Sequence, residues 1–172
     1  MVEADLFQSH RRQLFAVAYR MLGSASDAED VVQDAWLRYA AARPADLRSP
    51  QAYLTTIVTR LCLDRVKSAR ARREEYVGPW LPEPILTKGD EGPDVLFERS
   101  ESVTLAFLVL LDTLSPEERA VFLLKEVYGY EHTEIAEMLG TTSANCRQLL
   151  HRARSKIRPG LTRATACGGD RT

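Results

Sequence analysis

The sequence lacks the features of a membrane-spanning or secreted protein. No apolar run approaches the ~20 residues that a transmembrane helix needs, and no signal-peptide pattern opens the chain. Its three cysteines, Cys62, Cys146 and Cys167, are odd in number and far apart, with no CxxC or His–Cys ligand spacing. This spacing argues against a disulfide framework and against a zinc site. We therefore expect a cytoplasmic protein with no membrane contact, metal or other cofactor, in which Cys62 and Cys146 fill helix cores.

Catalytic motifs are scarce as well. The three histidines, His10, His132 and His151, fall in separate predicted helices. The sequence shows no Ser-His-Asp set and no glycine-rich phosphate loop. No alternating β pattern of any length competes with the helical periodicity. These observations predict an all-α protein that is not an enzyme.

Charges of the two signs are segregated along the chain, although the net charge is only −1. Arg60 to Arg73 contains six basic residues and one acid, and Arg147 to Arg163 contains six basic residues and no acid. Acids crowd one predicted helix at Asp27, Glu29, Asp30 and Asp34. Each cluster alone is equally compatible with a solvated helix face. Together they predict two basic surfaces and an acidic surface that meets something other than DNA.

Helical periodicity predicts three helices in the first half of the chain. They cover, approximately, residues 5–22, 26–42 and 50–75. Gly23 is expected to end the first helix. Ser26 and Glu29 form a capping-box pattern for the second helix, and Ser49 is expected to cap the third, with a proline following it.

The composition changes between Gly78 and Pro93, which hold four of the eight prolines and three of the nine glycines. We interpret this stretch as a linker between two domains. The predicted organisation is a first domain over residues 1–76, a linker over 77–94, a second domain over 95–158 and a disordered tail over 159–172. In the second domain, Ser115 to Glu118 combine a cap, a proline and a capping glutamate ahead of a helix that stops near Gly129.

Residues Glu131 to Arg154, EHTEIAEMLGTTSANCRQLLHRAR, match the pattern of a helix-turn-helix. Ala136 is the small residue that lets the second helix approach, and Gly140 lies where the turn needs a positive φ. The positions expected to face inward are Ile135, Leu139, Cys146 and Leu149. Because neighbouring leucines cannot face the core equally, we expect Leu150 to be half exposed.

The other faces of the second helix of this motif are basic and amide-bearing. They carry Arg147, Gln148, His151, Arg152 and Arg154. A helix that reads the major groove needs an apolar face that packs on the protein and, opposite it, a basic and amide-bearing face that contacts DNA. The pattern therefore predicts a DNA-binding protein.

Taken together, the two halves resemble a bacterial RNA polymerase sigma factor of the extracytoplasmic-function type, in the sigma-70 family. The run LFAVAYRMLGSASDAEDVVQDAWLRYA is similar to the start of region two, and SPQAYLTTIVTRLCLDRVKSARARRE is similar to its promoter-reading end. The run LLDTLSPEERAVFLLKEVYGYEHTEIAEMLGTTSANCRQLLHRARSKIR is similar to region four. The resemblance covers about Leu6 to Arg158. It implies a region two helical bundle and a region four domain with a helix-turn-helix, joined by the proline-rich linker.

The resemblance implies how the basic residues contact a promoter. Region four would read the minus-thirty-five element as duplex through the five residues of the recognition helix. A partly buried surface histidine is the alternative for His151. Region two would melt and read the minus-ten element. Asp46, Leu47, Arg48 and Tyr53 would form or flank a base pocket, whereas Arg60, Lys67 and Arg70 would follow the phosphate backbone. A core aromatic is the alternative for Tyr53.

The resemblance also implies a polymerase contact. The residues Asp30, Gln33, Asp34 and Leu37 share one face of the acidic helix by their spacing. In sigma factors this region binds a coiled coil on the clamp of the largest polymerase subunit, and region four contacts the flap. The alternative is that the acids merely favour a helix N-terminus electrostatically.

The linker motif Trp80, Leu81, Pro82, Glu83 and Pro84 resembles the signature of a subgroup in which a fused SnoaL-like domain follows region four. We expect that domain to be absent from this sequence, and we expect regulation either by the C-terminal domain that this chain lacks or by an anti-sigma factor. The motif either packs as plain structure or forms the face that the missing domain covers. We expect flexibly oriented domains, with the motif docked intramolecularly.

The sequence is also compatible with two other functions. One is a two-domain helix-turn-helix repressor or activator that does not act through recruitment of core polymerase. The other is a helical interaction protein that binds no nucleic acid. In vitro transcription with core polymerase separates the first from a sigma factor, and the salt dependence of DNA affinity separates the second.

Overall fold

The computed structural model describes residues 2–42, 44, 47–73 and 105–167, and the side chains over 4–42, 44, 47–69 and 105–158. All regular structure over these residues is helical. The helices are α1 (Val2–Leu22), α2 (Ala25–Ala42), α3 (Pro50–Arg73), α4 (described over 105–112), α5 (Pro116–Phe122), α6 (His132–Leu139) and α7 (Ser143–Cys167). Asp46 and the predicted linker motif, Trp80 to Pro84, lie outside the described residues. None of the described helices has the length and apolar character that crossing a bilayer requires.

Helices α1, α2 and α3 pack into a bundle around Leu14, Val17, Val32, Leu54 and Val58, all buried. Each helix presents apolar residues at helical spacing to the other two, which is the pattern that a small helical core requires.

The ends of these helices follow local signals. As predicted, α1 ends at Gly23, which takes a φ of 71°. Ser49 caps α3, where its Oγ accepts a hydrogen bond from the backbone N–H of Ala52 at 3.2 Å. The predicted cap of α2 is wrong, because Ser24 rather than Ser26 accepts from the backbone of Asp27, at 3.3 Å. Helix α2 begins at Ala25, which places Ser26 inside its first turn.

Helix α5 begins with the predicted capping box. The backbone N–H of Glu118 donates to the Ser115 side chain at 3.2 Å, and the N–H of Ser115 donates to the Glu118 carboxylate at 3.0 Å. Helix α5 then continues into a π-helical turn over Leu123–Val127 that the sequence did not reveal. The wider turn closes with a bond from Tyr128 N–H to the Leu123 carbonyl at 3.1 Å. The chain reverses at Gly129, at the predicted place.

Helices α6 and α7 form the predicted helix-turn-helix. Gly140, which ends α6, takes a φ of 66°. The backbone N–H of Thr141 donates to the Ala136 carbonyl at 2.9 Å, so this carbonyl at the end of α6 has a hydrogen-bond partner. The expectation for the paired leucines is wrong, because Leu150 is buried and Leu149 is half-buried. The buried side of α7 is the stripe Cys146, Leu150, Ala153 and Ile157. Leu150 lies four residues after Cys146, and side chains at that spacing share one face of a helix. Leu150 rather than Leu149 therefore faces the core.

Helix α7 extends further than the sequence predicted. It continues past Pro159 to Cys167, within the stretch expected to be a disordered tail. A proline removes one backbone donor, and residues beyond it can remain helical.

The two halves of the molecule share one apolar cluster, in contrast to the expected flexible orientation. Leu111, Leu114, Leu123 and Ile157 of the second half join the core residues of the α1–α3 bundle. Helices α1 and α3 contact α5, and α3 also contacts α6. Burial of this shared apolar surface fixes how the first half faces the helix-turn-helix.

Candidate nucleic-acid interface

The side of α7 opposite its buried stripe is fully polar. We call it the recognition face, and its members Arg147, Gln148, His151, Arg152 and Arg154 are all exposed. In the stripe beneath it, Cys146 and Leu150 share one apolar cluster with Val121, Leu124 and Ile135, which are 0–1% exposed. A helix anchored in this way presents its cations and amide in a fixed orientation, as groove recognition requires.

A polar group at the N-terminal end of α7 was not predicted from the sequence. The Thr142 Oγ1 accepts from the backbone N–H of Asn145 at 3.1 Å, and the Asn145 Nδ2 donates to the Thr141 Oγ1 at 2.9 Å. Asn145 is exposed, and N-terminal residues of a recognition helix are the ones that contact base edges in this motif. The sequence did contain a signal for this cap, because Thr142 directly precedes an apolar helical pattern and threonine is a typical N-cap residue.

One member of the recognition face is already partnered. The Nε of Arg154 donates to a carboxylate oxygen of Glu126 at 3.0 Å, and its Nη2 contacts the same oxygen. Glu126 belongs to the π-helical turn, so that turn supplies the partner of Arg154. The pair reduces the positive charge that Arg154 offers to DNA relative to Arg147 and Arg152.

A second ion pair attaches α7 to the start of α5. The Lys156 Nζ lies 2.6 Å from the carboxylate of Glu118, whose residue is only 4% exposed. Burial raises the pKa of Glu118, but hydrogen bonds from Lys156 and the Ser115 backbone, with the charges of Lys156 and Arg152, outweigh it. The pKa of Glu118 therefore lies below its ordinary value. The carboxylate stays charged, and Lys156 serves packing rather than the recognition face.

Two of the three cations predicted to follow the minus-ten strand contact the second half of the molecule, and both remain exposed. The Nε of Arg60 donates to the Met138 carbonyl at 2.7 Å, and its Nη2 donates to the Glu137 carbonyl at 3.2 Å. The Nζ of Lys67 lies 3.0 Å from the Glu117 carboxylate. The side chain of Arg70 lies outside the described side chains, although its backbone belongs to α3.

The residues proposed for the base pocket are only partly described. Arg48 is exposed, and Leu47 and Tyr53 are half-buried against the core. The ring of Tyr53 lies 6.4 Å from that of Tyr39, centroid to centroid. Tyr53 therefore has a packing role and keeps part of its surface open.

The acidic face of α2 is exposed as the spacing predicted. Asp30, Gln33, Asp34 and Leu37 are all exposed, and Leu37 keeps 58% of its surface accessible. Asp30 also lies 3.1 Å from Arg65, and Glu29 pairs with Arg11 at 2.7 Å.

Two of the cysteines occupy the core, as predicted. Cys62 and Cys146 are fully buried, and burial raises the pKa of both thiols. Buried thiols with raised pKa values are poor nucleophiles, so both act as small apolar residues.

The family comparisons match the two halves separately. Sigma-70 region 2 matches residues 6–72, and Sigma-70 region 4 matches residues 104–157. The ECF RNA polymerase sigma factor SigJ of Mycobacterium tuberculosis is 42% identical over 157 residues, which are 91% of this chain and 50% of SigJ. A probable ECF RNA polymerase sigma factor, SigI of the same organism, is 38% identical over 88% of this chain and 52% of its own length. The chain thus spans about half the length of these relatives.

Solved structures share the fold. The crystal structure of M. tuberculosis SigJ aligns with a TM-score of 0.68 at 37% identity, over 97% of this chain and 60% of that one. The sigma factor RpoE of Bartonella quintana, in complex with the anti-sigma factor NepR, aligns with a TM-score of 0.69 at 20% identity, over 92% of this chain and 97% of that one. With both characteristic regions present in order, the chain belongs to the sigma-70 family, in its extracytoplasmic-function group.

Proposed function

We propose that the chain binds core RNA polymerase in the cytoplasm and directs promoter-specific initiation of transcription. The observation that carries this proposal is the recognition face of α7, exposed above a buried stripe, in a chain that matches both sigma-70 regions. Region four reads the minus-thirty-five element and region two opens the minus-ten element. The chain supplies contacts and orientation, and the polymerase supplies the chemistry.

In region four, α7 enters the major groove of duplex DNA. Arg147 and Arg152 suit guanine edges and Gln148 suits adenine, and each good bidentate pair contributes about 1–3 kcal/mol of discrimination. His151 lies between them, exposed, and Arg154 contacts phosphate.

In region two, the loop before α3 and the start of α3 hold a base that has left the stack. Extrusion costs a few kcal/mol, which a pocket and a basic strand path must offset. Asp46, Arg48 and Tyr53 form the pocket in this proposal, and Arg60, Lys67 and Arg70 contact the strand. The exposure of Arg48 and the partly open surface of Tyr53 support these assignments.

The polymerase contacts complete the proposal. Asp30, Gln33, Asp34 and Leu37 bind the clamp coiled coil of the largest subunit, and region four binds the flap. Restraint comes from a further C-terminal domain or from an anti-sigma factor, and Trp80, Leu81, Pro82, Glu83 and Pro84 take part in it. The structural neighbour RpoE is itself bound to an anti-sigma factor.

In vitro transcription with core polymerase tests the proposal. We expect the chain to confer initiation at promoters mapped from the transcripts that its overexpression induces. Leu37→Ala with Asp34→Ala should reduce initiation by weakening polymerase binding, and Arg152→Ala should reduce it by weakening DNA binding. Arg12→Ala, which removes an exposed cation of α1 that belongs to neither face, is the matched control. A chain that binds the promoter but never supports initiation would be a repressor or activator instead.

A further inference from the structure

Helix α5 and the π-helical turn that continues it carry two acids that contact α7. Near the start of α5, a carboxylate oxygen of Glu118 accepts from the Lys156 Nζ at 2.6 Å. In the π-helical turn, a carboxylate oxygen of Glu126 accepts from the Nε of Arg154 at 3.0 Å and also contacts its Nη2. One continuous helical element therefore holds α7 through two ion pairs.

The π-helical turn accounts for both acids facing the same helix. Glu126 follows Glu118 by eight residues. In a regular α-helix of about 3.6 residues per turn, that separation overshoots two full turns by about 80°, so the two side chains would diverge. A π turn closes its hydrogen bonds one residue later, as in the bond from Tyr128 to Leu123, and takes more residues per turn. The wider turn brings Glu126 back towards the side that Glu118 faces.

The two pairs lie on opposite flanks of the buried stripe of α7. Arg154 and Lys156 are two residues apart, which on an α-helix separates their directions by about 200°. The buried residues Ala153 and Ile157 point between these two directions. Burial of the apolar stripe is non-directional, whereas charge-assisted hydrogen bonds have a fixed geometry. Pairs on both flanks therefore resist rotation of α7 about its own axis.

The two pairs differ in burial. The Glu118 side chain keeps only 6% of its surface accessible, whereas the side chains of Glu126 and Arg154 keep 35% and 54%. Breaking a pair that leaves one charged partner buried is more costly than breaking an exposed pair. We therefore expect Glu118 to restrain α7 more strongly than Glu126 does.

We infer that Glu118 and Glu126 are positioning residues for promoter recognition: their carboxylates fix the rotation of α7 about its axis and so set which base edges the recognition face reaches. This inference rests on the proposed function. Bidentate contacts to bases need a fixed geometry, whereas contacts to phosphate carry no sequence information. Loss of the two pairs should therefore lower the discrimination between DNA sequences more than the affinity for DNA in general.

The test uses the full chain with Glu118→Gln and Glu126→Gln, singly and combined. Fluorescence anisotropy compares a labelled minus-thirty-five duplex, taken from a promoter mapped by transcript sequencing, with a scrambled duplex of the same base composition. We expect the preference for the promoter duplex to fall about twofold for Glu126→Gln, about threefold for Glu118→Gln and about sixfold for the double variant. Affinity for the scrambled duplex should stay equal or rise, because each change removes a negative charge beside α7.

The matched control for charge is Glu137→Gln. Glu137 is an exposed acid of α6 whose carboxylate belongs to neither pair. Its removal changes the net charge by the same amount and should leave the preference at the wild-type value. If the two carboxylates only stabilised the fold, the double variant would bind both duplexes more weakly in parallel. Such a parallel loss, or an unchanged preference in the double variant, would overturn the inference.

A charge swap provides a rescue experiment at the exposed pair. In Glu126→Arg combined with Arg154→Glu, the pair is rebuilt with its signs exchanged. The preference for the promoter duplex should recover relative to Glu126→Arg alone, while the affinity for both duplexes falls because the recognition face has lost a cation. A preference that does not recover would overturn the positioning role of Glu126.

The initiation assay separates this inference from the proposed function. Promoter-specific initiation by the wild-type protein, with an unchanged preference in the double variant, would overturn the positioning role and leave the function standing. A wild-type protein that neither prefers the promoter duplex nor supports initiation would overturn the proposed function, and the positioning role with it. Initiation by the wild-type protein together with a reduced preference in the double variant supports both.

Discussion

The two basic surfaces of the molecule carry similar charge but differ in what their cations contact. On the recognition face, Arg147 and Arg152 are exposed and point away from a buried stripe. On α3, Arg60 and Lys67 contact carbonyls and a carboxylate of the other half. Charge counted along the sequence therefore does not measure the charge that is available to DNA.

The pairs on α3 nevertheless leave Arg60 and Lys67 exposed, and the Lys67 side chain keeps 58% of its surface accessible. Exposed pairs of this kind contribute only about 0–1 kcal/mol, so they restrain the two cations weakly.

The largest expected effect comes from removing the support beneath the exposed surface. Leu150→Ala should lower the free energy of unfolding by about 3 kcal/mol, because it leaves a cavity next to Val121 and Leu124. At this chain length the midpoint of thermal unfolding should fall by roughly 10 °C, measured by circular dichroism. Leu149→Ala is the matched control at a half-buried site and should cost about 1 kcal/mol. The reverse ranking would contradict the orientation of α7.

A smaller effect separates two arginines on the recognition face itself. Arg152→Ala should weaken binding to a minus-thirty-five duplex about tenfold, by loss of a base or phosphate contact. Arg154→Ala should weaken it only about twofold, because Glu126 already offsets its charge. Fluorescence anisotropy with the duplex measures both. Arg60→Ala should leave this affinity unchanged, since α3 takes no part in duplex reading. Equal losses for Arg152 and Arg154 would show that the Glu126 pair opens on DNA.

The parts of the fold set by neighbouring residues were predictable from the sequence. The turn at Gly140 and the Ser115–Glu118 capping box depend only on residues close together in the sequence, so the residue types alone predict them. The cap of α2 was misplaced because two serines, Ser24 and Ser26, both precede an acid at the right spacing. The π-helical turn depends on packing rather than on a motif and left no signal.

The contacts between the two halves could not be predicted from the sequence, for a different physical reason. Arg60 is bound by backbone carbonyls more than seventy residues away in the chain, and every residue carries a carbonyl. No residue type marks such a partner. The same holds for Arg119, whose buried guanidinium donates to the Met21 and Leu111 carbonyls at 2.7 and 2.9 Å. The sequence indicated which side chains were basic, but only the packing of the two halves determined what they contact.

The smallest expected effect concerns pH and the one carboxylate that ties the recognition helix to the start of α5. The pKa of Glu118 is lowered in the folded protein, so its charged form stabilises the fold. That contribution is fully present above the ordinary pKa of a glutamate, about 4.3, and is lost as the pH falls through the lowered folded value. Glu118→Gln should therefore cost about 1 kcal/mol near neutral pH through loss of the charged pair with Lys156. A glutamine at this position can still complete the capping box.

Thermal unfolding of the wild-type protein and of Glu118→Gln across this acidic range checks the sign. The gap in unfolding temperature should be constant above the ordinary glutamate pKa and should close on further acidification, as the wild-type carboxylate becomes protonated. Glu29→Gln is the control, since Glu29 is exposed and its pair with Arg11 is worth little. A gap that widens on acidification would mean that burial, rather than Lys156 and the Ser115 backbone, dominates the carboxylate. Glu118 would then be neutral in the folded protein, and the position of α7 would not depend on an ion pair between Glu118 and Lys156.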